Sequence, residues 1–267
     1  MKYKKYDTPT ELSNYVRYFW SIDHEDDGGK DKIIKIFADR FPRLIFQDLN
    51  GHVATKDANG IVLPESFLSG LITKQTNYQV KGSYSHVGVS FYPHAIKAIF
   101  GVDANELTDA LPDLINFCTS GLIVRLQEAT SHELRIAILG QFLMEKLLKQ
   151  DAALLKIDPI MQSHLHYDTT ISDLLLTHKI SERSLERLFK HTIGISPKKY
   201  LRILRFEKTI EMLNNFDGNN LSDIAYDIGY ADQSHFNKEF KDFSGFTPQT
   251  FQHKTKFGQE SSSFLLK

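Results

Sequence analysis

Apolar and polar residues follow two different periods along this chain, and the change falls near its middle. Up to about residue 120, short runs of β-branched and aromatic residues are separated by turn signals. Residues 15–20, 33–37 and 44–46 are such runs. Val87, Val89 and Phe91 alternate with small residues, the period-two pattern of a half-buried strand. Asn50-Gly51 and Asn59-Gly60 mark turns. Pro93 closes the last of these strands, and a short helix is predicted near Ala95–Phe100. Short strands at this spacing predict an antiparallel barrel or sandwich. Ser131 then reads as an N-cap, and Leu134, Ile138, Phe142 and Leu148 mark a helix to about Lys149. That helix is expected either to pack on the barrel or to pair with a second subunit.

Beyond a linker at 150–158 the period is helical throughout. Pro159 suits the first turn of a helix to about 166, and a further short helix is expected at 170–178. Ser181 caps the next helix, whose inner face carries Leu185, Leu188 and Phe189 before Gly194 ends it. Pro197 opens a long helix to about Asn214, with Ile203, Phe206, Ile210 and Leu213 as its apolar stripe. A polar loop follows at 214–220. A helix from Leu221, a turn at Gly229 and a cap at Asp232 then lead into a helix with Phe236, Phe240 and Phe243 facing inward. Gly245 and Pro248 end that helix and start another, and the tail after about Lys256 is expected to fray. The fold class expected is α+β with two domains. Residues 1–150 form a β-barrel with helices, and residues 158–255 an all-α domain.

The helical half repeats itself. Phe189-Lys190-x-x-x-Gly194-x-Ser196-Pro197 returns 51 residues later as Phe240-Lys241-x-x-x-Gly245-x-Thr247-Pro248. Ile171-Ser172-Asp173-Leu174 returns 50 residues later as Leu221-Ser222-Asp223-Ile224. Each copy reads as a short helix, a turn and a second helix, and two such units can reach successive turns of a DNA groove. In a helix-turn-helix the second helix offers its polar side chains to base edges. Arg183, Glu186 and Arg187 in the first unit are placed to contact bases. So are Gln233, Ser234, His235, Asn237 and Lys238 in the second. Lys190, Lys199, Arg202 and Lys241 suit phosphates, which give affinity without sequence choice. The connecting helix would span about 25 Å at 1.5 Å per residue, a fitting spacer for grooves roughly 34 Å apart. The plain alternative is a helical bundle of two hairpins that binds no DNA.

Charge sharpens the picture locally rather than globally. The net charge is −1, yet nine basic residues between Lys179 and Lys208 face only Glu182, Glu186 and Glu207, a local balance of +6. The single cysteine, Cys118, cannot form an internal disulfide, lies in an apolar stretch and suits a reducing compartment. No apolar segment suggests a signal peptide or a membrane span, so a soluble cytoplasmic protein without membrane contact is expected. The 11 histidines yield no convincing metal constellation. His164 and His166 fall on different helix faces, His132-Glu133 lacks a second histidine, and His86 and His94 have no companion carboxylate at a ligand spacing. Tyr18, Trp20, Phe41 and Phe91 either line a ligand cavity or fill the barrel core. No phosphate-binding loop, nucleophile elbow or dinucleotide fingerprint is present, and no cofactor or catalytic residue is expected.

Residues from about 158 to 253 resemble the DNA-binding domain of AraC/XylS-type transcriptional regulators. The resemblance rests on Leu185-Glu186-Arg187-Leu188-Phe189-Lys190, Gly194-Ile195-Ser196-Pro197, Tyr200-Leu201 and Arg205. It continues through Asp223-Ile224-Ala225, Gly229-Tyr230, Ser234-His235-Phe236, Phe240-Lys241 and Gly245-Phe246-Thr247-Pro248. It implies seven helices, two recognition helices and transcriptional control, usually activation, with double-stranded DNA and RNA polymerase as partners. The N-terminal part more loosely resembles the cupin-like effector domain of this family. It does so at Tyr15-Val16-x-Tyr18-x-Trp20, Phe67-Leu68-Ser69-Gly70, 87–93 and Glu106-Leu107-Thr108-Asp109. That likeness implies a small-molecule effector or a homodimer contact. Three positions depart from the family pattern: Leu175 where a small residue is usual, Lys179 at the turn that Gly229 fills in the second unit, and Thr209 on the connector. The first unit is therefore expected to dock at an altered angle or to contact bases less well. A cupin-like metal-dependent enzyme with accessory helices, or an interaction module that has lost DNA binding, are the alternative functions.

Overall fold

In the computed structural model, residues 2–25, 32–150, 159–163, 165–214, 221–252 and 264–266 are described. Two antiparallel sheets form the N-terminal half. The first has the strand order β1 (Lys2–Tyr6), β2 (Val16–His24), β7 (Tyr84–Phe91), β4 (Arg43–Asp48) and β5 (Ser66–Ser69). The second has the order β6 (Thr76–Val80), β3 (Lys32–Ile36) and β8 (Phe264–Leu266). Residues 264–266 depart from the expected frayed tail, because Leu266 pairs with Ile34 in an edge strand of the N-terminal sheet; the rest of that tail lies outside the described residues.

The strands of the larger sheet are apolar on both faces because both faces are covered. Phe19, Leu44, Phe46, Val87 and Val89 face three helices, α1 (Ala95–Phe100), α2 (Ser120–Glu128) and α3 (His132–Leu148). The alternate positions Trp20, Ile22, Ile45, Tyr84 and His86 line a cavity between the two sheets. Trp20 pairs with Gly88 across β2 and β7. A Cβ at Gly88 would lie 2.5 Å from the Trp20 ring and 2.6 Å from the Leu44 carbonyl oxygen, so this glycine is the seat of the indole. Ser131 Oγ accepts from the Leu134 amide and caps α3. α3 packs on the barrel, with Gly140 against Phe19, which realises one of its two expected roles. Cys118 packs at the edge of the same core, and burial pushes its thiol up.

The C-terminal half is all-helical: α4 (Pro159–Gln162), α5 (Ile171–His178), α6 (Glu182–Thr192), α7 (Pro197–Asn214), α8 (Leu221–Asp227), α9 (Gln233–Ser244) and α10 (Pro248–Gln252). The expected linker at 150–158 and most of the loop at 214–220 lie outside the described residues. The first helix is shorter than expected, ending at Gln162. Phe189, Phe206, Phe236, Phe240, Phe243 and Phe251 are fully buried and form an aromatic core around α7 and α9. That core extends into the other half. Phe37, just after β3, packs its ring against Phe246 and Phe251, and the Ala38 amide donates to the Phe243 carbonyl at 3.0 Å. The two halves thus share a hydrophobic centre, a contact that no local pattern announces. Among the described residues, no helix is long and apolar enough to cross a membrane.

Candidate nucleic-acid interface

Each repeated unit is built by the same devices. In the first, Thr170 and Asp173 form a capping box on α5: Thr170 Oγ1 accepts from the Asp173 amide at 3.1 Å, and Asp173 Oδ2 accepts from the Thr170 amide at 2.9 Å. The Thr170 hydroxyl, which donates to Asp173 Oδ2 at 2.7 Å, and then the Thr170 amide hold the Asp173 carboxyl below its ordinary value. Lys179 ends α5 in the left-handed region at φ 51°. Ser181 Oγ then accepts from the Ser184 amide and starts α6. In the second unit Gly229 makes the turn at φ 80°, and Asp232 Oδ1 accepts from the His235 amide at 2.7 Å to start α9. Gly194 and Gly245 follow the two recognition helices, both at positive φ.

The outward faces carry the residues expected at DNA. Arg183, Glu186, Arg187 and Lys190 on α6 are exposed, as are Gln233, Ser234, His235, Lys238 and Lys241 on α9. Asn237 is half-buried. Lys199 and Arg202 on α7 are drawn inward. Lys199 Nζ lies 4.8 Å from the Phe243 ring centre, and burial, with Arg202 nearby, lowers its affinity for a proton. Arg202 Nε donates to Glu239 Oε2 at 2.6 Å, and Tyr230 Oη donates to Glu239 Oε1 at 3.1 Å. Burial is the main reason the Tyr230 hydroxyl is pushed well up. Between the units lies a groove of about 520 Å³ whose lining includes Thr170, Lys198, Arg202, Arg205 and His235. Lys198, Arg205 and Thr170 were not singled out for DNA contact by sequence pattern, although the local positive charge was the available signal. Asp168 and Glu239 also line this groove, and its three cations, Lys198, Arg202 and Arg205, suit a phosphate backbone.

The N-terminal half grips the far ends of both recognition helices. His191 Nδ1 lies 2.6 Å from Asp103 Oδ2, while Lys97 Nζ donates to Asp103 Oδ1 at 2.6 Å. Lys97, and then His191, hold the Asp103 carboxyl below its ordinary value. Thr108 Oγ1 donates to the Gly194 carbonyl at 3.0 Å, and a Cβ at Gly194 would lie 2.8 Å from the Ala104 carbonyl oxygen. On α7, Glu207 Oε2 lies 2.9 Å from Arg40 Nε. Burial raises the Glu207 carboxyl to about 7 despite that guanidinium. These contacts leave the starts of α6 and α9 open to solvent. Among the described residues, no group of three or more His, Cys, Asp or Glu is placed to hold a metal ion. His94 is engaged with the Asn14 carbonyl at 2.9 Å, and His164 lies outside the described residues.

A helix-turn-helix domain family matches residues 177–254, and a domain family of unknown function, DUF6597, matches residues 4–113. The HTH-type transcriptional activator RhaS of Enterobacter sp. (strain 638) is 28% identical over 123 residues, which cover 46% of this chain and 44% of the relative. RhaS of Citrobacter koseri is 28% identical over 109 residues, covering 41% of this chain and 39% of the relative. The chain therefore spans less than half the length of these curated relatives. Among solved structures, ToxT from Vibrio cholerae covers 88% of this chain and 98% of its own at 14% identity, with a TM-score of 0.42.

Proposed function

We propose that this protein is a sequence-specific DNA-binding transcriptional regulator whose C-terminal helix-turn-helix domain is of the AraC/XylS type. The observation that carries this reading is the duplicated unit itself. Two capped recognition helices present Arg183 and Arg187, and Gln233 and His235, at exposed ends, while their opposite faces are fixed in one aromatic core. Arginine can donate two bonds to a guanine edge, and glutamine can pair with adenine. The protein acts by binding and not by catalysis. It activates transcription, the role named for the relative RhaS, and RNA polymerase is the partner such activation calls for. The N-terminal domain senses a small molecule or holds a second copy of the chain. A signal there can reach the DNA-binding domain because the two halves share buried residues. Gel-shift titrations on genomic fragments at several salt concentrations test the proposal. A preferred fragment with a steep salt slope supports it, and a shallow slope with no preference among fragments overturns it.

A further inference from the structure

The cavity between the two sheets carries information about its ligand. It holds about 90 Å³, room for roughly three waters or one small organic molecule. Its walls are isoleucines and aromatic rings, among them Ile34, Ile45, Tyr78 and Tyr84. An apolar void of that size would be expected to stay dry, yet its lining is not fully satisfied. Among the described residues, Trp20 Nε1 and Thr55 Oγ1 are buried without a hydrogen-bond partner, and both side chains line the cavity. Native proteins leave few such atoms unpaired, since each costs desolvation energy. The His86 ring also faces the cavity, and among the described residues it has no hydrogen bond. Burial, with His52 nearby, pushes it down to about 4, so it presents one donor and one acceptor nitrogen at neutral pH. Arg43 is the one formal charge among the lining residues, and it is already paired with the buried Asp39 and bonded to the Phe41 carbonyl.

We propose that this cavity binds a small uncharged molecule with an apolar body and one carbonyl-like acceptor, held by the Trp20 N–H together with Thr55 and His86. A second net charge would enter without a counter-ion, and a polyol would strip several hydroxyls of water for few bonds. This inference rests on the regulatory reading above, because it assigns the signal that the N-terminal domain would report. The route outward is short. Ile34 and Ile36 of β3 line the cavity, Phe37 and Ala38 dock on α9 and α10, and Arg40 meets Glu207 on α7.

Trp20 is the only tryptophan in the chain, so its indole N–H gives a single signal in a proton–nitrogen correlation spectrum of the full-length protein. Cyclopentanone, isobutyramide, isobutyrate and glucose are titrated separately. Both neutral probes are expected to shift that signal saturably. Isobutyrate, the same shape as the amide but anionic, is expected to bind at least about 100-fold more weakly. Thr55→Val should weaken isobutyramide by about fivefold. The assignment is overturned if neither neutral probe moves the indole signal, if isobutyrate binds as well as the amide, or if glucose saturates the site. Gel shifts on the same preparation keep the two readings apart. Lost DNA binding with retained cavity binding sinks the regulator, and the reverse sinks only the ligand.

Discussion

The two helix-turn-helix units share their ends and differ in how they are fastened. Both begin their recognition helix with a side-chain cap, at Ser181 and Asp232, and both close it with a positive-φ glycine. Both bury the phenylalanine that precedes the repeated lysine, Phe189 and Phe240. In the second unit the neighbouring position is Glu239, only 3% exposed and bonded to Arg202 and Tyr230. In the first unit the equivalent position is Leu188, packed against apolar neighbours. The first unit takes its polar fastening from outside, through His191 on Asp103 and Gly194 on Thr108. The helix-turn-helix family match begins at residue 177, which leaves out the first six residues of α5. The N-terminal half also holds the second unit, through the Ala38 amide on the Phe243 carbonyl and Phe37 against Phe246 and Phe251, so the difference is that the second unit adds a buried polar fastening of its own at Glu239.

The largest expected effect tests that asymmetry directly. Glu239→Ala removes the partner of Arg202 and of Tyr230 at once, and should cost about 3 kcal/mol, toward the low end for a broken buried pair because Arg202 is one-third exposed. The matched change Leu188→Ala should cost about 1–2 kcal/mol, since that side chain is only half-buried. Urea denaturation of both variants measures the difference, and equal losses would remove the distinction between the two fastenings. Next in size is the functional counterpart. Arg187→Ala, at the open end of α6, should lower discrimination at one base pair by about 1–3 kcal/mol. Lys241→Ala should weaken all sequences alike and flatten the salt slope by about one. Competition gel shifts with cognate and random DNA measure both, and identical behaviour of the two variants would merge their assigned roles.

Much of this comparison was legible in the chain. Ser181 and Asp232 are local signals, and so are Gly229, Gly245 and the phenylalanine spacing, because caps and turns are decided within a few residues, whereas Thr170, expected inside its helix, is the cap of that helix. The inward pull of Arg202 was not legible. A charged residue on an amphipathic helix reads as solvent-facing, and its bond to Glu239 joins positions 37 residues apart. A signal did exist: Glu239 lies three residues after Phe236 and four before Phe243, inside the apolar stripe. The shared core at Phe37 and the pairing of β8 with β3 are long-range contacts with no periodic trace.

A smaller effect sharpens the role of the interdomain contact. The Glu207 carboxyl sits at about 7 in the folded protein against an ordinary 4.5, chiefly because burial disfavours its charge. A raised carboxyl stabilises the fold fully below its unfolded value, and that contribution is lost as pH rises through about 7. Glu207→Gln should therefore flatten the fall in stability between pH 5 and 8, seen as thermal midpoints measured across that range. A variant whose profile parallels the parent would show that Arg40 keeps this carboxylate ionised throughout.

The smallest effect concerns the turn of the first unit, where Lys179 adopts φ 51° and its counterpart Gly229 adopts φ 80°. A residue with a Cβ pays about 1–2 kcal/mol for the left-handed conformation, whereas glycine pays a smaller entropic cost of roughly 0.5–1 kcal/mol on folding. Lys179→Gly should therefore stabilise the protein by up to about 1 kcal/mol. Gly229→Ala should destabilise it by a similar amount, and a Cβ there meets nothing within 4 Å, so the cost is purely backbone. Chemical denaturation of the two variants gives opposite signs if the turns are equivalent. Two changes of the same sign would mean that Lys179 holds its turn through its side chain, and that the first unit departs from the second in backbone as well as in fastening.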